Sequence, residues 1–173
     1  MTFSQEDKKI MELALNEAKV ALKNKDYPVG AVLVIDGKVI ATKRNSLYSE
    51  ENWASHAELS ILKETSAEIK KAVKQNNSCV ELFTTLEPCL MCLGSCVLHR
   101  VSRIVFACPD PHGGATHLNP KNLTDWYIRK WPKIEGGLFK EKVYKIMVEF
   151  MKNKDTDTWR EILKMYEKMH ESW

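Results

Sequence analysis

Two short segments, His56-Ala57-Glu58 and Pro88-Cys89-Leu90-Met91-Cys92, constrain this chain more than anything else in it. Each stands where a helix is expected to open, and one histidine with two cysteines is a donor set soft enough for zinc. Two cysteines separated by two residues at a helix start lie one above the other, so both sulfurs reach one ion. Structural zinc sites are normally closed by four protein ligands, whereas catalytic sites keep a position for water. His56, Cys89 and Cys92 make three, which leaves that position open. Glu58 is two residues past the histidine, where a carboxylate hangs beside such a water without binding the metal and serves as a proton carrier.

Taken singly, each segment has an ordinary reading. Ser55-His56-Ala57-Glu58 fits a capping box, in which Glu58 only bonds back to the helix start. The cysteine pair alone fits a redox motif at a helix N-terminus. Neither reading explains why the other segment carries matching residues in matching register, and zinc explains both. Cys96, one turn after Cys92, is the candidate for a fourth ligand that would close the site; Cys79, Cys96 and Cys108 otherwise read as packed thiols.

The rest of the chain reads as one domain of 173 residues, with a core over about 4–152 and a helical extension over 153–173. No apolar run approaches a membrane span, and Met1 to Asp7 lacks the pattern of a secretion signal. A cytoplasmic protein with reduced cysteines is therefore expected. Net charge is only +3, from 26 Lys and Arg against 23 Asp and Glu, with both signs interleaved. That is a weak signal for nucleic-acid binding.

Ser4 and Asp7 form a capping pattern before the helical spacing of Ile10, Met11, Ala14, Leu15, Ala18 and Leu22, which predicts a helix over about 4–24. Val29 to Ile35, Asp36-Gly37 and Lys38 to Thr42 predict a hairpin. A loop over 45–53 leads to the His56 helix, which runs to about Thr65, and Ser66 to Ser78 reads as a charged helix end and connector. Cys79 to Thr85 is a strand, and Pro88 at the first helical position opens a helix to about His99. Arg103 to Ala107 has the continuous apolar character of a buried parallel strand. After a loop that walls a pocket or only crosses the surface, a short strand is placed at Lys133 to Glu135. Helices follow over about 138–152 and from a capping box at Thr158 and Glu161.

These residues give the chain a resemblance to the cytidine deaminase superfamily, in the branch of tRNA adenosine deaminase, guanine deaminase and fungal-type cytosine deaminase. The matching segments are Pro28-Val29-Gly30-Ala31-Val32, Asn45, His56-Ala57-Glu58, Leu86-Glu87-Pro88-Cys89-Leu90-Met91-Cys92 and Ile104-Val105-Phe106. The resemblance implies a three-layer α/β/α sandwich around a mixed five-stranded sheet, a zinc-dependent hydrolase and a homodimer. It makes Glu58 the catalytic residue and His56, Cys89 and Cys92 the metal ligands. It places substrate contacts at Asn45, Ala57, Asp110 and Trp159. Asp110 matches an aspartate of the tRNA enzymes but is bracketed here by Pro109 and Pro111. Trp159 is similar to the terminal tryptophan that covers the pocket of fungal-type cytosine deaminase.

Residues 153 to 173 hold four basic and five acidic residues, unlike the basic tail of the tRNA enzymes. On that ground the expected substrate is a free nucleobase or small nucleoside, cytosine or guanine favoured, whose exocyclic amine is hydrolysed to ammonia. The alternative is a tRNA adenosine deaminase. A non-catalytic zinc-stabilised interaction module is the third reading, which the presence of Glu58 disfavours.

Overall fold

The computed structural model describes residues 2–75, 78–154 and 156–173. Ser4 caps the first helix, α1 (Gln5–Lys23), by a reciprocal box: Asp7 N–H donates to Ser4 Oγ at 3.0 Å and Ser4 N–H to Asp7 Oδ2 at 2.9 Å. The hairpin follows as β1 (Gly30–Ile35) and β2 (Lys38–Arg44), turning at Asp36 and Gly37 with φ of 50° and 76°. Two successive positive φ values are the primed turn that matches strand twist, and glycine adopts its half without strain. A Cβ on Gly30 would lie 2.1 Å from the Ala14 carbonyl oxygen, so α1 packs backbone to backbone on β1.

Next come α2 (Ala57–Glu64), α3 (Ser66–Lys74), β3 (Val80–Leu86), α4 (Leu90–Leu98) and β4 (Arg103–Cys108). The stretch from Ser66, expected as the end of the preceding helix and a connector, is a separate helix over Ser66–Lys74. Thr65 ends α2 by turning its hydroxyl onto the Ile61 carbonyl at 2.7 Å, and Ile69 and Ala72 then bury a new apolar face. Asn76 and Asn77 of that expected connector lie outside the described residues. Past β4 the chain forms a 3₁₀ turn (Pro120–Asn122), the short helix α5 (Asp125–Ile128), β5 (Lys133–Gly136), α6 (Lys140–Lys152) and α7 (Asp157–His170). The last helix starts one residue before Thr158. Its cap is Thr156, whose Oγ accepts from Trp159 N–H at 3.3 Å, and Thr158 falls inside the first turn. Asp155, in the polar connection before it, lies outside the described residues.

The five strands form one mixed sheet in the order β2-β1-β3-β4-β5. β1 runs antiparallel to β2 and β3, while β3, β4 and β5 are parallel. Leu33, Leu82, Ile104 and Ile134 line up across the register, and all but the last are completely buried. Helices α1 and α6 pack together on one face, and α2 packs against α4 on the other. This is the expected three-layer sandwich, short fifth strand included. No helix among the described residues is long and apolar enough to cross a membrane.

One ion cluster ties these layers at the N-terminal ends of the parallel strands. Arg103 on β4 donates to Asp7 of α1 at 2.7 Å, to Glu81 of β3 at 2.8 Å and to Glu135 of β5 at 2.7 Å. Burial works to raise the Asp7 carboxyl, but the Arg103 and Ser4 hydrogen bonds outweigh it and hold it below the usual range. Arg103 does the same for Glu135. Both depressed carboxylates contribute fully above about pH 4–4.5 and lose that contribution as the pH falls through their folded-state values. Arg103 is 21% exposed, so Arg103→Gln is expected to cost about 2 kcal/mol at pH 7, below the ~3–5 of a fully buried pair. Urea titrations should show the gap between variant and wild type narrowing below pH 4; a pH-independent gap would mean that packing, not charge, is lost.

Candidate metal centre

The parallel strands β3 and β4 end side by side, and the turn after each feeds one wall of a cavity of about 590 Å³. This is where ligands bind in sheets of this kind, beyond the carboxyl ends of adjacent strands. His56 and Cys89 are the N-cap residues of α2 and α4, both in extended conformation, and neither side chain caps its own helix. They turn toward each other. His56 Nδ1 lies 3.7 Å from Cys89 Sγ and 3.5 Å from Cys92 Sγ. A tetrahedral zinc with bonds of about 2.0–2.1 Å to nitrogen and about 2.3 Å to sulfur needs a nitrogen–sulfur separation of roughly 3.6 Å, so the donors stand at the spacing that ion requires.

Electrostatics points the same way. The neighbouring Cys92 thiol donates to Cys89, whose pKa drops to about 4 even though burial opposes ionisation; the His56 ring assists. Cys92 is in turn pushed well up, by its hydrogen bond to Cys89 and by burial. A second thiolate beside the first is unfavourable in so buried a place unless a cation sits between them. His56, Cys89 and Cys92 are the cluster of possible ligands among the described residues. Cys96 is completely buried in the apolar core, where burial raises its thiol, and stands outside this cluster.

Pro88 is not the first helical residue of α4, which begins at Leu90. The Pro88 carbonyl accepts from Ala115 N–H at 3.0 Å, and Cys89 bridges to Gly114, so residues 88 and 89 stay extended and Cys89 becomes the cap. Glu58 forms no capping box. Ser55 Oγ donates instead to Glu50 at 2.6 Å, and Glu58 is turned inward, 4% exposed, where its Oε1 accepts from the Thr84 hydroxyl at 3.3 Å. Burial pushes the Glu58 carboxyl above its ordinary range, offset in part by its own N–H, His56 and Thr84. A buried carboxyl with a raised pKa, beside a metal-ligand set and lining a cavity, is suited to exchanging protons.

Of the other expected contacts, Asn45, Asp110 and Trp159 line the cavity. Asn45 Oδ1 accepts from Leu47 N–H at 3.0 Å, so its amide N–H groups are what a ligand meets. Asp110 Oδ1 is engaged by the Tyr166 hydroxyl and by His112 N–H, both at 3.0 Å. Trp159 packs edge-on to Phe150 and tilted on Tyr27 at the cavity side of α7. Ala57 is fully buried and its side chain is not part of the lining; any contact it makes with a ligand is through the backbone N–H of a helix start. Sequence reasoning passed over Tyr27, Tyr48, Trp53 and Thr84, which carry no motif. It also passed over the role of Glu87, which accepts from Asp110 N–H and from the Thr116 N–H and hydroxyl, and so ties the loop after β4 to the turn bearing Cys89.

Comparison with known proteins places this geometry. The cytidine and deoxycytidylate deaminase zinc-binding region matches residues 4–108. The chain is 31% identical, over 85% of its length and 95% of the relative's, to the tRNA-specific adenosine deaminase of Agrobacterium fabrum (strain C58 / ATCC 33970). It is 34% identical, over 79% and 83%, to that of Bacillus subtilis (strain 168). A solved structure from a study of A-to-I editing by tRNA:A34 deaminases at the wobble position superposes with a TM-score of 0.67 at 32% identity, covering 80% of this chain and 98% of that one. A guanine deaminase from Nitrosomonas europaea shares the fold, with a TM-score of 0.69 at 18% identity over 87% and 86%. These relatives overturn the expected free nucleobase or small nucleoside, with cytosine or guanine favoured. That expectation rested on about twenty C-terminal residues, whereas the similarity to enzymes named for tRNA adenosine runs through the core.

The metal centre makes a direct prediction. The purified protein should carry about one zinc per chain, with an absorption-edge spectrum of one nitrogen, two sulfurs and one lighter oxygen donor. Cys89→Ser and His56→Ala should each bring the zinc content well below one, and Cys96→Ala should leave it unchanged. Three sulfurs in the wild-type spectrum would refute the open site.

Proposed function

This chain belongs to the cytidine and deoxycytidylate deaminase family, and from that premise we propose that it hydrolyses adenosine to inosine within tRNA. It is a zinc-dependent hydrolase of the deaminase kind. The observation that carries the tRNA reading is the 31–34% identity to tRNA-specific adenosine deaminases across most of both chains. The cavity supports it: at about 590 Å³ it is roomier than one base requires, and its mouth bears the exposed Tyr48 and Trp53. A target adenosine flipped out of an anticodon loop enters such a pocket while its neighbours stay outside.

His56, Cys89 and Cys92 are the residues that would hold zinc, which when bound supplies the Lewis acidity that makes water a nucleophile at neutral pH. Glu58 takes the proton released by that water and returns it to the ring nitrogen next to the carbon bearing the amine. Thr84 fixes the carboxylate for both transfers. The remaining proton of the attacking oxygen passes to the amine as the carbon–nitrogen bond breaks, so that adenosine and water give ammonia and an inosine that stays in the RNA chain. Asn45 donates to an acceptor on the base edge. Trp159 and Ile162, presented by α7, close one apolar side of the cavity and exclude bulk water.

Inosine formation in an anticodon stem-loop with adenosine at the wobble position tests the reading. Turnover is expected there and not with free cytosine, guanine or adenine, and its KM should rise with salt as phosphate contacts weaken. Glu58→Gln should retain zinc and lose roughly 10²–10⁴ in rate. Turnover of a free base with none of the stem-loop would refute the proposal.

The working unit we propose is a homodimer. Leu90, Met91 and Leu98 stand exposed on one side of α4, and Leu123, Trp126 and Ile128 are exposed in the segment joined to its end by the Arg100–Trp126 contact. An apolar face of this kind fits a second copy better than water. Light scattering should give a mass of two chains, and Leu98→Glu should shift it to one; a wild-type monomer at micromolar concentration would exclude the dimer.

A further inference from the structure

The loop between β2 and α2 is held from several sides. Asp26, completely buried, accepts from Tyr48 N–H at 2.9 Å, Ser49 N–H at 2.8 Å and Ser49 Oγ at 2.7 Å, and pairs with Arg44 at 3.1 Å. Asn52 Oδ1 takes Ala54 N–H at 2.9 Å, and Ser46 N–H donates to the Ser55 carbonyl at 3.0 Å. On this fixed frame Trp53 stands 85% exposed, more than any other large apolar side chain among the described residues. It lines the same cavity as His56 and Glu58. An indole left in water on a rigid loop, at the mouth of a catalytic cavity, gives up burial that a flexible loop would recover by folding it inward.

The surroundings say what covers it. Tyr48 and His112 line the same cavity and are exposed, and Lys154, which lines a neighbouring pocket, sets its Nζ 4.2 Å from the centre of the Tyr48 ring. Aromatic faces with interspersed positive charge are how proteins hold unpaired nucleotides, the rings stacking on bases and the cations meeting phosphates. A nucleotide chained to a base held in the cavity must leave by its open side, where Trp53 is exposed. We propose that Trp53 is a stacking platform for the unpaired nucleotide adjoining the target adenosine, and that it selects substrates by their loop and not by the reacting base. This rests on the tRNA reading above. Trp53 touches no reacting atom, so its contribution is to binding and register.

The test uses the zinc-loaded full chain and an anticodon stem-loop with adenosine at the wobble position. In two further stem-loops, 2-aminopurine replaces in turn the nucleotide on each side of the target. In a Glu58→Gln background, which holds the RNA unreacted, one of the two probes should be quenched on binding, and adding Trp53→Ala should abolish that quench. With Glu58 intact, Trp53→Ala should raise KM about 10- to 100-fold with kcat nearly unchanged, and Trp53→Phe should restore most of the loss. Stem-loop editing by the wild type with no Trp53-dependent quench and an unchanged KM would overturn the platform and leave the tRNA reading intact. A Trp53→Ala variant of altered oligomeric mass would also overturn it, placing Trp53 between copies of the chain. No editing of the stem-loop by the wild type would overturn the tRNA reading itself.

Discussion

The site depends on two helix starts whose cap residues do not cap. An N-cap side chain ordinarily satisfies a free backbone N–H of its own first turn. His56 and Cys89 forgo that bond and are held in extended backbone by their surroundings, so that an imidazole and a thiol from different helices meet within 4 Å. The two helix starts add partial positive charge to a pocket that must hold thiolates. Metal binding and helix geometry are thus one constraint, and the packing of α2 against α4 enforces it.

Around that constraint, β3 does the positioning. It lies at the centre of the sheet, antiparallel to β1 and parallel to β4, with almost every residue buried. Thr84 near its end supports the Glu58 carboxylate, Thr85 accepts from Gly30 N–H at 3.1 Å, and Glu87 just beyond holds the loop after β4. That loop offers Asp110 to Tyr166 of α7, and α7 brings Trp159 and Ile162 to the cavity. Burial of Tyr166 at the far end of this chain of contacts keeps the wall rigid. The C-terminal helix is therefore joined to the turn bearing Cys89 through two polar links, Glu87 to Asp110 and Asp110 to Tyr166.

The substrate expectation failed for a physical reason. A zinc-binding set with a carboxyl beside it suits any amine on an aromatic ring, so His56, Glu58, Cys89 and Cys92 carry no information about which base is bound or what it is attached to. The neutral tail was given that burden, but the cavity is bordered by exposed residues such as Trp53 and Tyr48 that a single sequence shows only as loop. Identity spread through the core outweighed it.

What the sequence determined by itself is local. The periodicities of residues 5–23 and 80–86, the Asp36-Gly37 turn, and the residue types of His56, Glu58, Cys89 and Cys92 are set by neighbours in the chain, where dihedral preference and donor chemistry act directly. The tertiary structure decided what depends on contacts between distant segments. Glu58 bonds Thr84 across twenty-six positions and not its own helix start. Cys89 takes the N-cap position of α4 without capping it because Gly114 and Ala115 hold residues 88 and 89 extended, and Cys96 is buried in the core apart from the ligand cluster. Trp53 is left in water because Asp26 anchors its loop from behind. In each case the deciding partner is remote in sequence, and the energy that selects it exists only once the sheet has brought the two together.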